Sequence, residues 1–129
     1  MDEKLIFIVD DDKVILNLLE YTFKSREGYE VRTFASGEDC LAHLEMKPDL
    51  IVLDHMFYVH GEKRMSGLDT LIELKKRIKD VPVIVLSGQD DTLLVREFIL
   101  NGALKYIPKE DYFIDALVES VEKVIVNLN

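Results

Sequence analysis

Asp10-Asp11-Asp12, Asp54, Ser87 and Lys109 each stand at or just beyond the end of a short apolar run. Carboxylates gathered at adjacent strand ends repel one another unless something positive sits among them, and their hard oxygens suit Mg²⁺, which keeps several of its waters. A hydroxyl at Ser87 and an ammonium at Lys109 are the donors that an incoming phosphoryl group needs, because phosphoryl transfer is largely positioning plus charge stabilisation. A carboxylate nucleophile in such a setting forms an aspartyl phosphate, and Asp54 fits that role best. Taken singly, each residue has a plainer explanation: a helix cap for Asp10 to Asp12, a turn for Asp54, a solvated charge for Lys109. A metal site explains the whole pattern.

The elements that must bring these residues together are legible as alternating patterns. Leu5–Val9 is short, β-branched and nearly all apolar, as expected for a strand covered on both faces of a parallel sheet. Leu50–Leu53, Val81–Leu86 and Ala103–Ile107 repeat that character, and Tyr29–Phe34 alternates as an edge strand does. Between them lie stretches of helical period, the clearest being Ile114, Leu117, Val118, Val121, Val124, Ile125 and Leu128, which predicts one continuous buried stripe. Ser36, Ser66 and Asp90-Asp91-Thr92 offer caps for helix starts, and Asn101-Gly102 offers a left-handed stop after the fourth helix. Strict alternation with right-handed crossovers gives an α/β fold, a doubly wound five-stranded parallel sheet with helices on both faces. By analogy its order is 2-1-3-4-5, flavodoxin-like, and ligands of such sheets bind at the carboxyl ends of the strands.

Composition narrows the function classes. The 129 residues are read as one domain, 1–129, with 48% hydrophobic and 32% charged residues in the balance of a packed globular protein. A formal charge of −9 opposes direct contact with nucleic acid or an anionic membrane. The single cysteine, Cys40, has no internal partner for a disulfide and is expected as a buried spectator thiol. The apolar run at Leu5 is broken at once by aspartates, so it is neither a signal peptide nor a membrane span, and a cytoplasmic location is expected.

With Ile8-Val9-Asp10-Asp11-Asp12, Asp49-Leu-Ile-Val-Leu-Asp54, Val83-Ile-Val-Leu-Ser87-Gly88 and Lys105-Tyr106-Ile-Pro-Lys109 in this order and spacing, the chain resembles the receiver domains of two-component response regulators. The resemblance covers essentially the full length. It implies that Asp10 and Asp11 are the acidic pair that holds Mg²⁺, with Asp54 and the backbone carbonyl of Met56 completing the protein ligands. It further implies that Asp54 is phosphorylated, that Lys109 contacts the phosphoryl oxygens, that Ser87 hydrogen-bonds them afterwards, and that Tyr106 is the switch aromatic. Asp12 then remains as a helix cap. The implied partners are a sensor histidine kinase or phosphotransfer protein and a downstream effector or output domain. The latter meets the face of the fourth helix, fifth strand and fifth helix, which also leaves room for a homodimer formed on phosphorylation. Such a chain is not a conventional enzyme, since it catalyses only its own phosphorylation and dephosphorylation.

Three features depart from the family pattern. The Met-Pro pair after the phosphoacceptor is replaced by His55-Met56, and the following loop is about five residues longer than usual, with a basic cluster of His60, Lys63 and Arg64. Position 110 is Glu instead of proline, so the Lys109–Glu110 peptide is either trans or strained. His55 and His60 do not form a zinc site of recognisable spacing. Two rival readings use the same residues: a pseudo-receiver that binds partners without phosphorylation, and a small haloacid-dehalogenase-like phosphatase built on Asp10-Asp11-Asp12, Ser87 and Lys109. The second leaves Asp54 without a role.

Overall fold

The computed structural model describes residues 3–55, 65–88 and 92–128. Its elements run β1 (Lys4–Val9), α1 (Lys13–Lys24), β2 (Tyr29–Phe34), α2 (Gly37–Leu41), a 3-10 turn at Leu44–Met46, β3 (Leu50–Asp54), α3 (Gly67–Arg77), β4 (Val83–Ser87), α4 (Thr92–Leu100), β5 (Lys105–Pro108) and α5 (Phe113–Asn127). The five strands form one parallel sheet in the order β2-β1-β3-β4-β5, the flavodoxin-like arrangement expected.

The two-residue period of each strand divides the core into two layers. Ile6, Ile8, Leu50, Val52, Ile84 and Leu86 face α1 and α5, where Leu16, Leu19, Phe23, Leu117, Val118 and Val121 meet them. Phe7, Val9, Ile51, Leu53, Val83 and Val85 face the opposite layer with Leu71, Leu74 and Phe98. Fully withdrawing a side chain such as Phe23 or Phe98 from water contributes roughly 2–3 kcal/mol, so burial on both faces is what makes nearly continuous apolar strands stable. Cys40 belongs to the second layer, and burial pushes its thiol up to about 12, in keeping with a spectator.

Three boundaries differ from expectation, each for a local reason. The fourth strand begins at Val83, not Val81, because Pro82 has no N–H to give the ladder. The fifth begins at Lys105, not Ala103, because the amides of Gly102 and Ala103 donate back to Ile99 and Phe98 and close α4; Gly102 takes φ +105 to do so. The stripe on the last helix ends at Ile125, since Leu128 lies past the helix end and is exposed. The Lys109–Glu110 peptide is trans. The expected cap at Asp90-Asp91 lies outside the described residues.

Ser36 and Ser66 cap α2 and α3 as expected, the latter in a reciprocal capping box with Asp69. Asp12 caps α1, its Oδ1 accepting from the backbone N–H of Val14 at 2.9 Å and of Ile15 at 3.4 Å. Replacing Asp12 by alanine should therefore cost about 1 kcal/mol in urea unfolding, and Asp12→Asn, which keeps an acceptor, only a few tenths. An Asp12→Ala variant as stable as its parent would show that the cap is not what holds the first turn.

Candidate functional site

Parallel strands in register deliver their carboxyl ends to one edge of the sheet. Val9 pairs with Leu53, Asp54 with Leu86 and Ser87 with Pro108, so the residues that follow β1, end β3 and β4, and follow β5 share that edge. The backbone is tied there as well: Asp10 N–H donates to Phe34 O at 3.0 Å and Lys109 N–H to Ser87 O at 2.7 Å.

Asp10 and Asp54 are buried, Asp11 is exposed, and one carboxylate oxygen from each of the three lies within 4.8 Å of the others. The Lys109 ammonium bridges the two buried carboxylates, 3.2 Å from Asp10 Oδ2 and in direct contact with Asp54 Oδ1. Asp10 Oδ1 also accepts from the backbone N–H of Asp12 at 2.9 Å, which orients the carboxylate that Lys109 holds from the other side. Trans geometry at Glu110 does not keep Lys109 away from the site.

Burial is the main force on the Asp54 carboxyl and, with the neighbouring Asp10 carboxylate, pushes it up to about 7 against the opposing pull of Lys109. Burial would lower the Lys109 ammonium, but its hydrogen bonds and charge pairing with Asp54 and Asp10 outweigh this and raise it. Each hard oxygen in the trio suits a small divalent cation, and an exposed member leaves room for bound water; the donor set fits Mg²⁺. Among the described residues this is the one His/Cys/Asp/Glu grouping that could hold a metal.

Ser87 ends β4 and is fully buried. Tyr106, on β5, is half-buried with its ring packed toward the second core layer, centroid 5.8 Å from that of Phe98. Met56, whose carbonyl was the remaining expected ligand, lies outside the described residues, as do His60, Lys63 and Arg64. Two more residues at the site, His55 and Gly67, stand in the sequence as a departure after Asp54 and as the residue after the Ser66 cap, with no sign of how closely they approach each other. His55 is buried beside Asp54, its imidazole lowered by burial and its ring edge-on to Phe98. Gly67 begins α3 against the Asp54 and His55 backbone, where a Cβ would fall 2.8 Å from Asp54 O.

The family model described as "Response regulator receiver domain" matches residues 6–122. The alkaline phosphatase synthesis transcriptional regulatory protein PhoP of Bacillus subtilis is 36% identical over 68% of this chain and 35% of its own length. The transcriptional regulatory protein AfsQ1 of Streptomyces coelicolor is 34% identical over 90% of this chain and 50% of its own. The chain thus spans half or less of these two relatives. Among solved structures, the Francisella response regulator 1452 receiver domain superposes with a TM-score of 0.83 at 26% identity, covering 98% of this chain and all of that one.

The raised Asp54 has a measurable consequence. Between about pH 4 and about pH 7 the folded chain holds a proton on Asp54 that the unfolded chain has released, so in metal-free buffer stability falls as pH rises through that window. The Asp54→Asn variant should lose this fall: its stability relative to the parent, from urea unfolding with a chelator present, should grow between pH 4 and pH 7.5, values set by about those two limits. Parallel pH profiles for the two proteins would contradict the assignment.

Proposed function

This chain belongs to the response regulator receiver domain family, and on that premise we propose that Asp54 accepts a phosphoryl group from a histidine kinase or phosphotransfer protein. The observation that carries the reading is the Lys109 ammonium held between Asp10 and Asp54, with Asp11 alongside. We read residues 1–129 as one receiver domain, because both core layers draw on elements from the whole chain.

In the transfer, a carboxylate oxygen of Asp54 bonds to phosphorus as the bond from phosphorus to the donor histidine nitrogen breaks, and the electron pair stays with that nitrogen. Asp10, Asp11, Asp54 and the Met56 carbonyl would hold Mg²⁺, which when bound neutralises the phosphoryl oxygens. Lys109 follows the charge: its ammonium leaves the bare Asp54 carboxylate for a phosphoryl oxygen, an interaction stronger in the transition state than before it. Ser87 then hydrogen-bonds the phosphoryl group, and Tyr106 turns toward the space this opens. The chain is a signalling phosphoacceptor that catalyses only its own phosphorylation and dephosphorylation.

The face of α4, β5 and α5 is the output surface in this reading. Ile99, Leu100 and Leu104 expose apolar side chains there, for an effector, an output domain or a second copy to cover. The net charge of −9 disfavours direct nucleic-acid contact by the domain itself. Among the described residues no helix is long and apolar enough to cross a membrane, and we place the chain in the cytoplasm with its kinase.

Incubation with acetyl phosphate and Mg²⁺ should give a shifted band on a phosphate-affinity gel, absent with chelator and absent in Asp54→Asn. Lys109→Gln should slow its appearance by about tenfold or more. A folded parent that binds Mg²⁺ yet forms no band with acetyl phosphate or any histidine-kinase donor would favour a pseudo-receiver; turnover of small phosphate esters that survives Asp54→Asn would favour a phosphatase.

A further inference from the structure

The residue after Asp54 has no part in the chemistry above, yet it occupies the junction of four elements. His55 is only 9% exposed, an unusual burial for a polar ring at the mouth of a site. Its backbone N–H donates to Leu86 O at 2.8 Å and ties the end of β3 to that of β4. Its ring meets Phe98 of α4 at a centroid distance of 5.1 Å and an interplanar angle of 81°. Phe98 is fully buried and in turn meets Tyr106 of β5 at 5.8 Å and 47°. On the other side α3 closes down on the same residue: a Cβ on Gly67 would lie 2.7 Å from His55 Cα and 3.2 Å from its Nδ1, an approach that glycine alone permits.

A ring confined in this way has little freedom to absorb a displacement. Protein interiors are packed with few voids, and small shifts at one site are amplified where packed elements have two arrangements. Asp54 Oδ1 is in direct contact with Lys109, so a tetrahedral dianion added to Asp54 would have to part the two, by displacing Lys109, the end of β3 or both. The peptide of His55 is anchored to β4 and its ring abuts Phe98, so any displacement of the end of β3 would reach α4 and then Tyr106 through two successive ring contacts.

We propose that His55 is a positioning residue that couples the state of Asp54 to α4 and Tyr106 through its ring contact with Phe98. This inference rests on the reading of Asp54 as phosphoacceptor, and it adds a route through the end of β3 to the one through Ser87. The contact is aromatic on aromatic, with a geometry preference that an aliphatic side chain of similar bulk does not reproduce.

The test uses the full chain with Mg²⁺ and beryllium fluoride as a phosphoryl mimic. Fluorine NMR reads occupancy at Asp54, and ring-carbon NMR reads Phe98 and Tyr106. In the parent the mimic should bind and both rings should shift. His55→Leu should bind it within about threefold of the parent's affinity, while the ring shifts fall to about half or less; His55→Phe should restore them. Phe98→Leu probes the same contact from its other end, so the test survives if His55→Leu does not fold: the Tyr106 shift should fall, and adding His55→Leu should bring no further loss. A full ring response in His55→Leu or Phe98→Leu, or an equal loss in His55→Leu and His55→Phe, overturns the coupling alone. A parent that does not bind the mimic overturns the phosphoacceptor reading and the coupling with it.

Discussion

Two carboxylates withdrawn from water beside one another are tolerable only with a cation between them, and the ammonium of Lys109 meets that constraint here. In a medium less polar than water, like charges a few ångströms apart repel strongly and each has lost its hydration. Lys109 offsets part of both costs for Asp10 and Asp54, leaving the Asp54 carboxyl still pushed up to about 7, and it does so only from one position. That position is fixed by the register of β5 on β4, where Ser87 stands opposite Pro108 and Ser87 O receives the N–H of Lys109. A slip of one residue would turn the Lys109 side chain to the other face of the sheet. The order β3-β4-β5 and the parallel sense of the strands are thus requirements of the charge cluster as much as consequences of apolar burial.

That dependence explains why so much of the site was legible before any coordinates. A parallel sheet ends every strand on the same edge, so polar residues that follow apolar runs must converge, and Asp10, Asp11, Asp54 and Lys109 do. The layers were legible too, because nearly continuous apolar strands need cover on both faces. Exact ends were not: whether Ala103 belongs to a strand depends on its amide being taken by Phe98 O, a closure of α4 that hydropathy does not register. The packing of His55 against Gly67 was illegible for a related reason. A histidine after a strand and a glycine after a serine read as ordinary loop and cap residues, and only tertiary packing brings the two backbones together.

The opposing forces on Asp54 suit a residue with two states. Burial and Asp10 favour its neutral form and outweigh Lys109, which favours the charged one, so the carboxyl is pushed up to about 7, where both forms are within reach near neutral pH. Additional positive charge nearby would settle the balance toward the carboxylate. The same balance counts against a phosphatase built on Asp10 to Asp12, because Asp12 is spent on the first turn of α1 and Asp54 sits in contact with Lys109.

The longer segment after Asp54 is compatible with this site because of where it departs and returns. His55 is held by Leu86 O, and Ser66 is held by its capping box with Asp69. The two anchor points are adjacent, since the first residue of α3 is pressed against the backbone of Asp54 and His55. A loop whose ends already meet gains length at a cost that grows only with the logarithm of its size, about 0.6 kcal/mol for each doubling. Glycine at position 67 permits the start of α3 to approach the backbone of Asp54 and His55 this closely, and the placement of Asp10, Asp54 and Lys109 rests on that approach and on the strand register.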